Sequence, residues 1–388
     1  MKKLFVFLTI TYLVFTINSN ALEQNSNANG KILKIGVILP LSGKFEIIGQ
    51  SFLKAIQLAL EDIGNESIII YPKDNKANAL ETYNAAKELN EEHGIKIVIG
   101  PIFHDNLERL NEISNITFIS LTNKTQALPR NIISFGININ SQLKTLDAYL
   151  NKIQVSKTVL LSPKTEFISQ TKTIEKSNLK FNKIFLYDTN PNKITNEIEI
   201  LTNYRERKRD LERRIKILEK SELYKDEKEL EKLKQKHTLG KINFDSVVIV
   251  DFGERLKSVI TSFIFSDISS NELNFFTLNQ WFDETLFDES ALENLHFPSI
   301  NYDNFKKFEK KYYNAFDEKP SKLSILAYDA LGLIYYCWES NNHEFKTEQL
   351  FNKNGFKGMH GEFFIKNNIS NQLLNMYKIS NKKFKRVN

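Results

Sequence analysis

Apolar residues run almost unbroken from Ile32 to Leu39 (Ile32, Leu33, Ile35, Val37, Ile38, Leu39). That density suits a strand covered on both faces, as in a parallel sheet, better than a half-exposed one. Pro40, Ser42 and Gly43 break the strand, and Phe52, Ile56, Ala59 and Ile63 then recur at spacings of three and four, the face of a helix. Strand, turn and helix form the first half of a βαβ unit. The turn lies at the carboxyl end of its strand, where open α/β sheets bind ligands.

The pattern then repeats. Strands are predicted at Ser67–Tyr71, Ile95–Ile99, Ile116–Leu121 and Ile132–Ile137, with helices at Ala77–His93 (closed by Gly94), near Asn106–Ile113, and at Ser141–Ile153. A second series follows, with strands Thr158–Leu161, Lys183–Tyr187, Phe244–Asp251 and Asn274–Leu278. Its helices are Glu166–Ser177, one from near Ile194, and Glu254–Phe265. Alternation at these lengths implies parallel sheets with helices on both faces, and two series imply two α/β lobes. The C-terminal part reads as helices Tyr302–Phe316 and Ser321–Trp338, a turn-rich stretch Asn354–Ile365 that ends in a strand, and a last strand at Leu373–Ile379.

One segment departs from the theme. Tyr204–Gly240 holds 13 basic and 9 acidic residues. Opposite charges recur at helical spacings (Glu206–Arg209, Asp210–Arg214, Glu212–Lys216, Glu229–Lys232, Glu231–Lys234). Leu211, Ile215 and Leu218 form a narrow apolar stripe, answered after a break by Leu230 and Leu233. The pattern predicts a helical hairpin that packs on itself, either a partner surface or a merely solvated extension.

At the N-terminus Lys2 and Lys3 precede an uncharged apolar run from Leu4 to Ile17, and Ser19-Asn20-Ala21 resembles a small-x-small cleavage site. This reads as a signal peptide over residues 1–21, with a short N-terminal anchor as the alternative. No later segment is apolar for long enough to span a bilayer. The sole cysteine, Cys337, leaves no disulfide or thiolate cluster and reads as a core residue. Basic residues exceed acidic ones by six over the whole chain, too weak and dispersed an excess to imply nucleic acid. These features predict a soluble periplasmic protein.

Catalytic constellations are missing from the sequence. The six histidines form no HxH or HExxH pair, and there is no GxSxG, GxxxxGK[ST] or GxGxxG. Asp74 and Asp251 close strands and read as turn or cap residues. The expectation is a binding protein with no cofactor or metal and no enzymatic activity.

The segment KIGVILPLSGKFEIIGQSFLKAIQLALEDI, then IKIVIGPI, ITFISLTNKT, Leu326–Leu331 (LAYDAL) and Gly355–Phe364 (GFKGMHGEFF), resembles the leucine/isoleucine/valine-binding type of periplasmic-binding protein, over nearly the whole mature chain. The resemblance implies a type I periplasmic-binding fold of two doubly wound parallel-sheet lobes joined by three crossovers, with ligand in the cleft between them. Lobe 1 would take residues 31–138 and 299–367, lobe 2 residues 139–298 and 368–388, with the hairpin 204–240 inserted in lobe 2. Crossovers would fall near Asn138, Pro298 and Asn368.

The cleft would be lined by Leu41–Lys44, Ile102–His104, Leu121–Asn123 and Ser162–Thr165, with ligand contacts from Ser42, Phe103, His104, Ser120, Thr122, Asn123 and Thr165. Ser120 and Thr122 match the turn that holds a ligand carboxylate in amino-acid binders. The family's hydroxyl residue after the third strand is replaced by Ile102, Phe103 and His104. Its acidic residue and tyrosine-glycine pair for the ammonium group are absent from Leu161–Phe167.

The charged hairpin before FDSVVIVDFGERL, followed by LNQWFD, is similar to the penicillin-binding-protein activator branch, in which this fold binds a cell-wall synthase. The resemblance thus implies either an interaction module of cell-wall synthesis or a substrate-binding protein that serves an ABC permease and holds a small polar ligand such as an amino acid or amide.

Overall fold

A computed structural model describes residues 31–387 apart from 165–173, 175, 176, 178, 222, 279 and 280. The signal segment 1–21 and most of the helix expected at Glu166–Ser177 lie outside the described residues. The first lobe opens with β1 (Leu33–Leu39), α1 (Glu46–Ile63), β2 (Ile68–Asp74), α2 (Ala79–His93), β3 (Ile97–Ile99), β4 (Thr117–Ser120) and β5 (Ile132–Ser134). Helix α3 (Ile139–Lys152) leads to the second lobe: β6 (Thr158–Pro163), β7 (Lys183–Tyr187), α4 (Pro191–Leu201), α5 (Tyr204–Leu218), α6 (Tyr224–Lys234), β8 (Ser246–Ile249), α7 (Gly253–Phe265), β9 (Asn274–Thr277) and β10 (His296–Ser299). The chain returns through α8 (Tyr302–Phe316), α9 (Ile325–Glu339), β11 (Phe356–Lys357), β12 (Glu362–Lys366) and β13 (Ile369–Leu373), and ends with β14 (Asn375–Ile379) and β15 (Phe384–Arg386).

The strands form two sheets, one of eight in the order β11-β12-β13-β5-β4-β3-β1-β2 and one of seven in the order β15-β14-β10-β9-β8-β6-β7. The βα series of each sheet pairs in parallel, and the late strands add antiparallel edges. This is the two-lobed type I periplasmic-binding fold. Parallel strands covered on both faces need apolar residues on both, and Ile35, Val37, Ile38 and Leu39 are all fully buried. Helix α1 buries Phe52, Ala55, Ile56 and Ala59 and stops at Gly64, which takes the left-handed conformation at φ 60°.

Several elements differ from expectation. The helix expected near Asn106–Ile113 is two 3-10 turns, His104–Leu107 and Leu110–Glu112. The strand expected over Leu373–Ile379 divides at Leu374: β13 joins the first sheet, β14 the second, and β15 is the true last strand. Asn367 and Asn368, at φ 53° and 60°, make the two-residue turn that folds β13 back on β12. That turn keeps the chain in the first sheet, so the third crossing falls at Leu374 and not near Asn368. Strand β10, short and containing Pro298, had no sequence signal.

The insertion is a helical hairpin. Leu211, Leu218 and Leu233 form its own small core with Ile215, Leu230 and Leu239. Its charges pair across the two helices as well as along them: Arg214 bonds Glu229 (2.8 Å) and Lys234 faces Glu219 (3.4 Å), while Asp210 pairs with Arg213 and not with Arg214. Arg207 is the buried anchor. Its guanidinium donates to the Ser266 carbonyl at the end of α7 (3.2 Å) and to Thr238 (2.6 Å), and Leu239 N donates to its carbonyl (3.0 Å). Burial lowers the Arg207 pKa, against the pull of Asp267. A cation at the carbonyl end of a helix is also favoured by the helix dipole. Among the described residues no helix is long and apolar enough to cross a membrane.

Candidate functional site

The turns at the carboxyl ends of the strands carry the candidate residues. After β1, the parallel register sets Leu39 beside Asp74 at the end of β2. Asp74 therefore reaches over the turn and accepts from Leu41 N (2.8 Å), Lys76 N (2.8 Å) and the Ser42 hydroxyl. Partial burial alone would raise the Asp74 pKa; the hydrogen bonds from Ser42, Lys76 and Leu41 outweigh it and hold the carboxyl below its ordinary value. The Ser42 hydroxyl is thereby committed to Asp74 on the neighbouring strand.

The next turns are tied in the same way. Gly100 takes φ 107°, and a Cβ there would lie 2.1 Å from the Ile38 carbonyl, so only glycine lets this end of β3 close on β1. The approach brings Phe103 onto Phe45, ring centroids 4.6 Å apart. Ser120 is fully buried and donates to the Pro101 carbonyl (2.9 Å). Ser134 donates to the Thr122 carbonyl (2.8 Å), and Thr122 Oγ1 accepts from Lys124 N (3.3 Å). Asn123 and His104 are exposed, and His104 pairs with Asp105 (2.6 Å) on the outer surface.

In the second lobe the strand ends converge on Asp251, 1 % exposed. It accepts from the Tyr187 hydroxyl, from Arg255 Nε (2.9 Å) and from Phe252 N (2.8 Å), and its carbonyl accepts from Thr277 (2.8 Å). Ser162 is buried, its hydroxyl donating to the Pro163 carbonyl (3.4 Å), and Lys164 is exposed, 3.5 Å from Glu197. Thr165 lies outside the described residues. At the crossovers, Gln372 Nε2 bonds the carbonyls of Phe135 (3.3 Å) and Gly136 (3.1 Å), Asn138 Nδ2 bonds that of Ser370 (2.6 Å), and Lys322 meets Asp283 (3.3 Å) from the other lobe.

The structure thus brings together Ser42 with Asp74, Phe103 with Phe45, Ser120 with the Pro101 carbonyl, and Thr122 with Ser134 at the end of β5. It does not gather His104 and Asn123 into one polar cluster with them. Asp251 is a buried ionic junction, more than the turn residue expected; its Tyr187 partner lies 64 positions upstream and carries no local signal. For metal binding, Glu88, Glu92 and His93 on α2 place their ligand atoms within 4.8 Å, but Glu88 already pairs with Lys73.

Residues 32–180 match the family model described as periplasmic binding protein. No curated protein matches the sequence. Among solved structures, the isoleucine complex of LivJ, the branched-chain amino acid transporter substrate binding protein of Streptococcus pneumoniae, aligns at 18 % identity and TM-score 0.55, covering 92 % of this chain and 99 % of that one. A putative branched-chain amino acid ABC transporter protein from Rhodospirillum rubrum aligns at 12 % identity and TM-score 0.67, over 92 % and 100 %. The C-domain of LpoA from Haemophilus influenzae, a regulator of PBP1A, aligns at 16 % identity and TM-score 0.61, over 92 % and 100 %. Against full-length LpoA the match covers 59 % of that chain. The family match bears out the periplasmic-binding-protein resemblance over residues 32–180, and the solved structures, which include transporter binding proteins and LpoA, share the two-lobed fold.

Proposed function

We propose that this chain is a non-catalytic periplasmic binding protein that works as a protein-interaction module of cell-wall synthesis, in the manner of the activator branch. The observation that carries the reading is the inward commitment of the cleft hydroxyls. Ser42 serves Asp74 and Ser120 serves the Pro101 carbonyl. A ligand carboxylate entering there meets hydroxyls already donated, and a buried charge without partners is costly. Export by the N-terminal signal and a periplasmic location belong to this proposal, and the partner is a peptidoglycan synthase reached through a lobe surface or the hairpin. The second reading, a substrate-binding protein for an ABC permease, is supported by the likeness in fold to transporter binding proteins and by the Thr122 turn.

A melt against amino acids and amides separates the two. A receptor gains about 2.7 kcal/mol at ligand a hundredfold above Kd. The interaction reading expects no shift from that library, and expects replacement of residues 205–236 by a short flexible linker to abolish capture of a purified synthase ectodomain. A shift of several degrees with leucine, removed by Ser120→Ala with Thr122→Ala, would establish the receptor reading instead.

A further inference from the structure

We propose that a cavity on the flank of the first lobe, away from the inter-lobe turns, binds a small aromatic carboxylate. The cavity holds about 640 Å³, within the range of small-molecule sites. One face of α9 supplies Asp329, Gly332, Leu333 and Tyr336, and the opposite wall is the 355–359 loop with Phe363.

Its floor is the first argument. Gly332 sits inside a helix, where glycine is unfavourable. Glycine is retained in helices where another element must pack close, yet a Cβ here would meet nothing within 4 Å. No part of the described chain uses the space that Gly332 leaves. Around it Leu333 and Phe363 are buried, Phe356 stacks on Phe363 at 5.5 Å, and Tyr336 meets Phe356 edge-on at 6.0 Å. Aromatic rings so arranged offer faces and edges to a flat apolar body.

The wall is built to keep its shape. Asp329, 6 % exposed, accepts from Met359 N and His360 N (2.7 Å each) and from the His360 ring. Gly358 permits this, since a Cβ there would stand 2.6 Å from the carboxylate. At the other end the Tyr328 hydroxyl is held by Asp62 (2.6 Å).

The head group follows from the rim. Among the described residues, the Asn304 side-chain amide and the Lys357 ammonium have no hydrogen-bond or ion-pair partner, and both line the cavity. A cation and an amide beside an aromatic floor complement a carboxylate on a flat ring system.

The test is calorimetric titration of the full chain with 2-naphthoate, and with neutral 2-naphthalenemethanol as control. Saturable one-to-one binding of the anion is expected. Gly332→Leu fills the floor and weakens both probes at least tenfold with the melting temperature kept or raised. Lys357→Glu, a surface change, weakens naphthoate at least tenfold and leaves the neutral probe within twofold. The proposal fails if naphthoate does not saturate, if a folded Gly332→Leu binds as before, or if Lys357→Glu moves both probes equally. A concentration-dependent dimer that Gly332→Leu abolishes, with no probe binding, assigns the cavity to a second copy and also overturns it.

Discussion

The two lobes share one construction, yet they close their strand ends with different chemistry. In the first lobe, neutral hydroxyls and backbone groups tie the turns: Ser42, Ser120 and Ser134, with Asp74 half-exposed at the edge. In the second lobe the junction is a buried carboxylate, Asp251, held by Tyr187 and Arg255. A buried cation, Arg207, fastens the inserted hairpin, and a buried imidazole, His296, lies between Tyr149 and Phe276 with centroids at 5.6 and 5.2 Å. Deleting a neutral hydroxyl costs one modest hydrogen bond, whereas removing a buried carboxylate leaves the several donors it satisfied without that acceptor. At its strand ends the second lobe should therefore be the more costly to disrupt; away from the strand ends the first lobe has a buried carboxylate–imidazole pair of its own, Asp329 with His360.

Of the substitutions at strand ends, the largest effect is expected at Asp251. Asp251→Ala removes the acceptor that Tyr187, Arg255 and Phe252 N share. Arg255 can turn to water, but the fully buried Tyr187 hydroxyl loses its carboxylate acceptor, and the change should destabilise by about 2–3 kcal/mol in urea unfolding. A loss under 1 kcal/mol would make the second lobe no more ionic in its energetics than the first.

His296 sharpens the contrast through pH. Burial, aided by Lys378, lowers its pKa from 6.5 to about 4. Between those values the unfolded chain carries the proton and the folded chain does not, so stability falls as pH drops from 6.5 towards 4. The loss approaches roughly 3 kcal/mol at the lower end. His296→Phe should flatten that slope in melts at pH 7 and pH 4.5; an unchanged slope would clear the imidazole. Asp74, by contrast, has a lowered pKa, so its contribution persists at mild acidity and fades only as pH falls below its ordinary 3.8.

Smaller effects belong to the first lobe. Ser120→Ala should cost about 1 kcal/mol, the worth of one buried hydrogen bond. Ser42→Ala should cost about 0.5 kcal/mol, since Asp74 keeps its backbone donors and its contact with water. Both variants should leave capture of a synthase unchanged. A Ser120→Ala cost as large as that of Asp251→Ala would erase the distinction between the lobes.

Much of this architecture was legible along the chain, because apolar spacing is a local property. The run Leu33–Leu39, the face Phe52–Ala59 and the hairpin stripe of Leu211, Ile215 and Leu218 all became the elements their periods implied. The candidate residues were legible only as positions. Ser42 and Ser120 do stand at strand ends, but whether a hydroxyl faces a ligand or its own loop depends on a partner brought from another strand.

The sequence by itself determined the two βα series and the self-packed insertion, since each follows from residues within a few turns of one another. Tertiary structure alone decided that Asp251 answers Tyr187, that Leu374 and not Asn368 carries the chain across, and that Gly332 floors a cavity. Those outcomes join residues far apart in the chain, where buried polar groups must find whichever partner the assembled fold brings within reach.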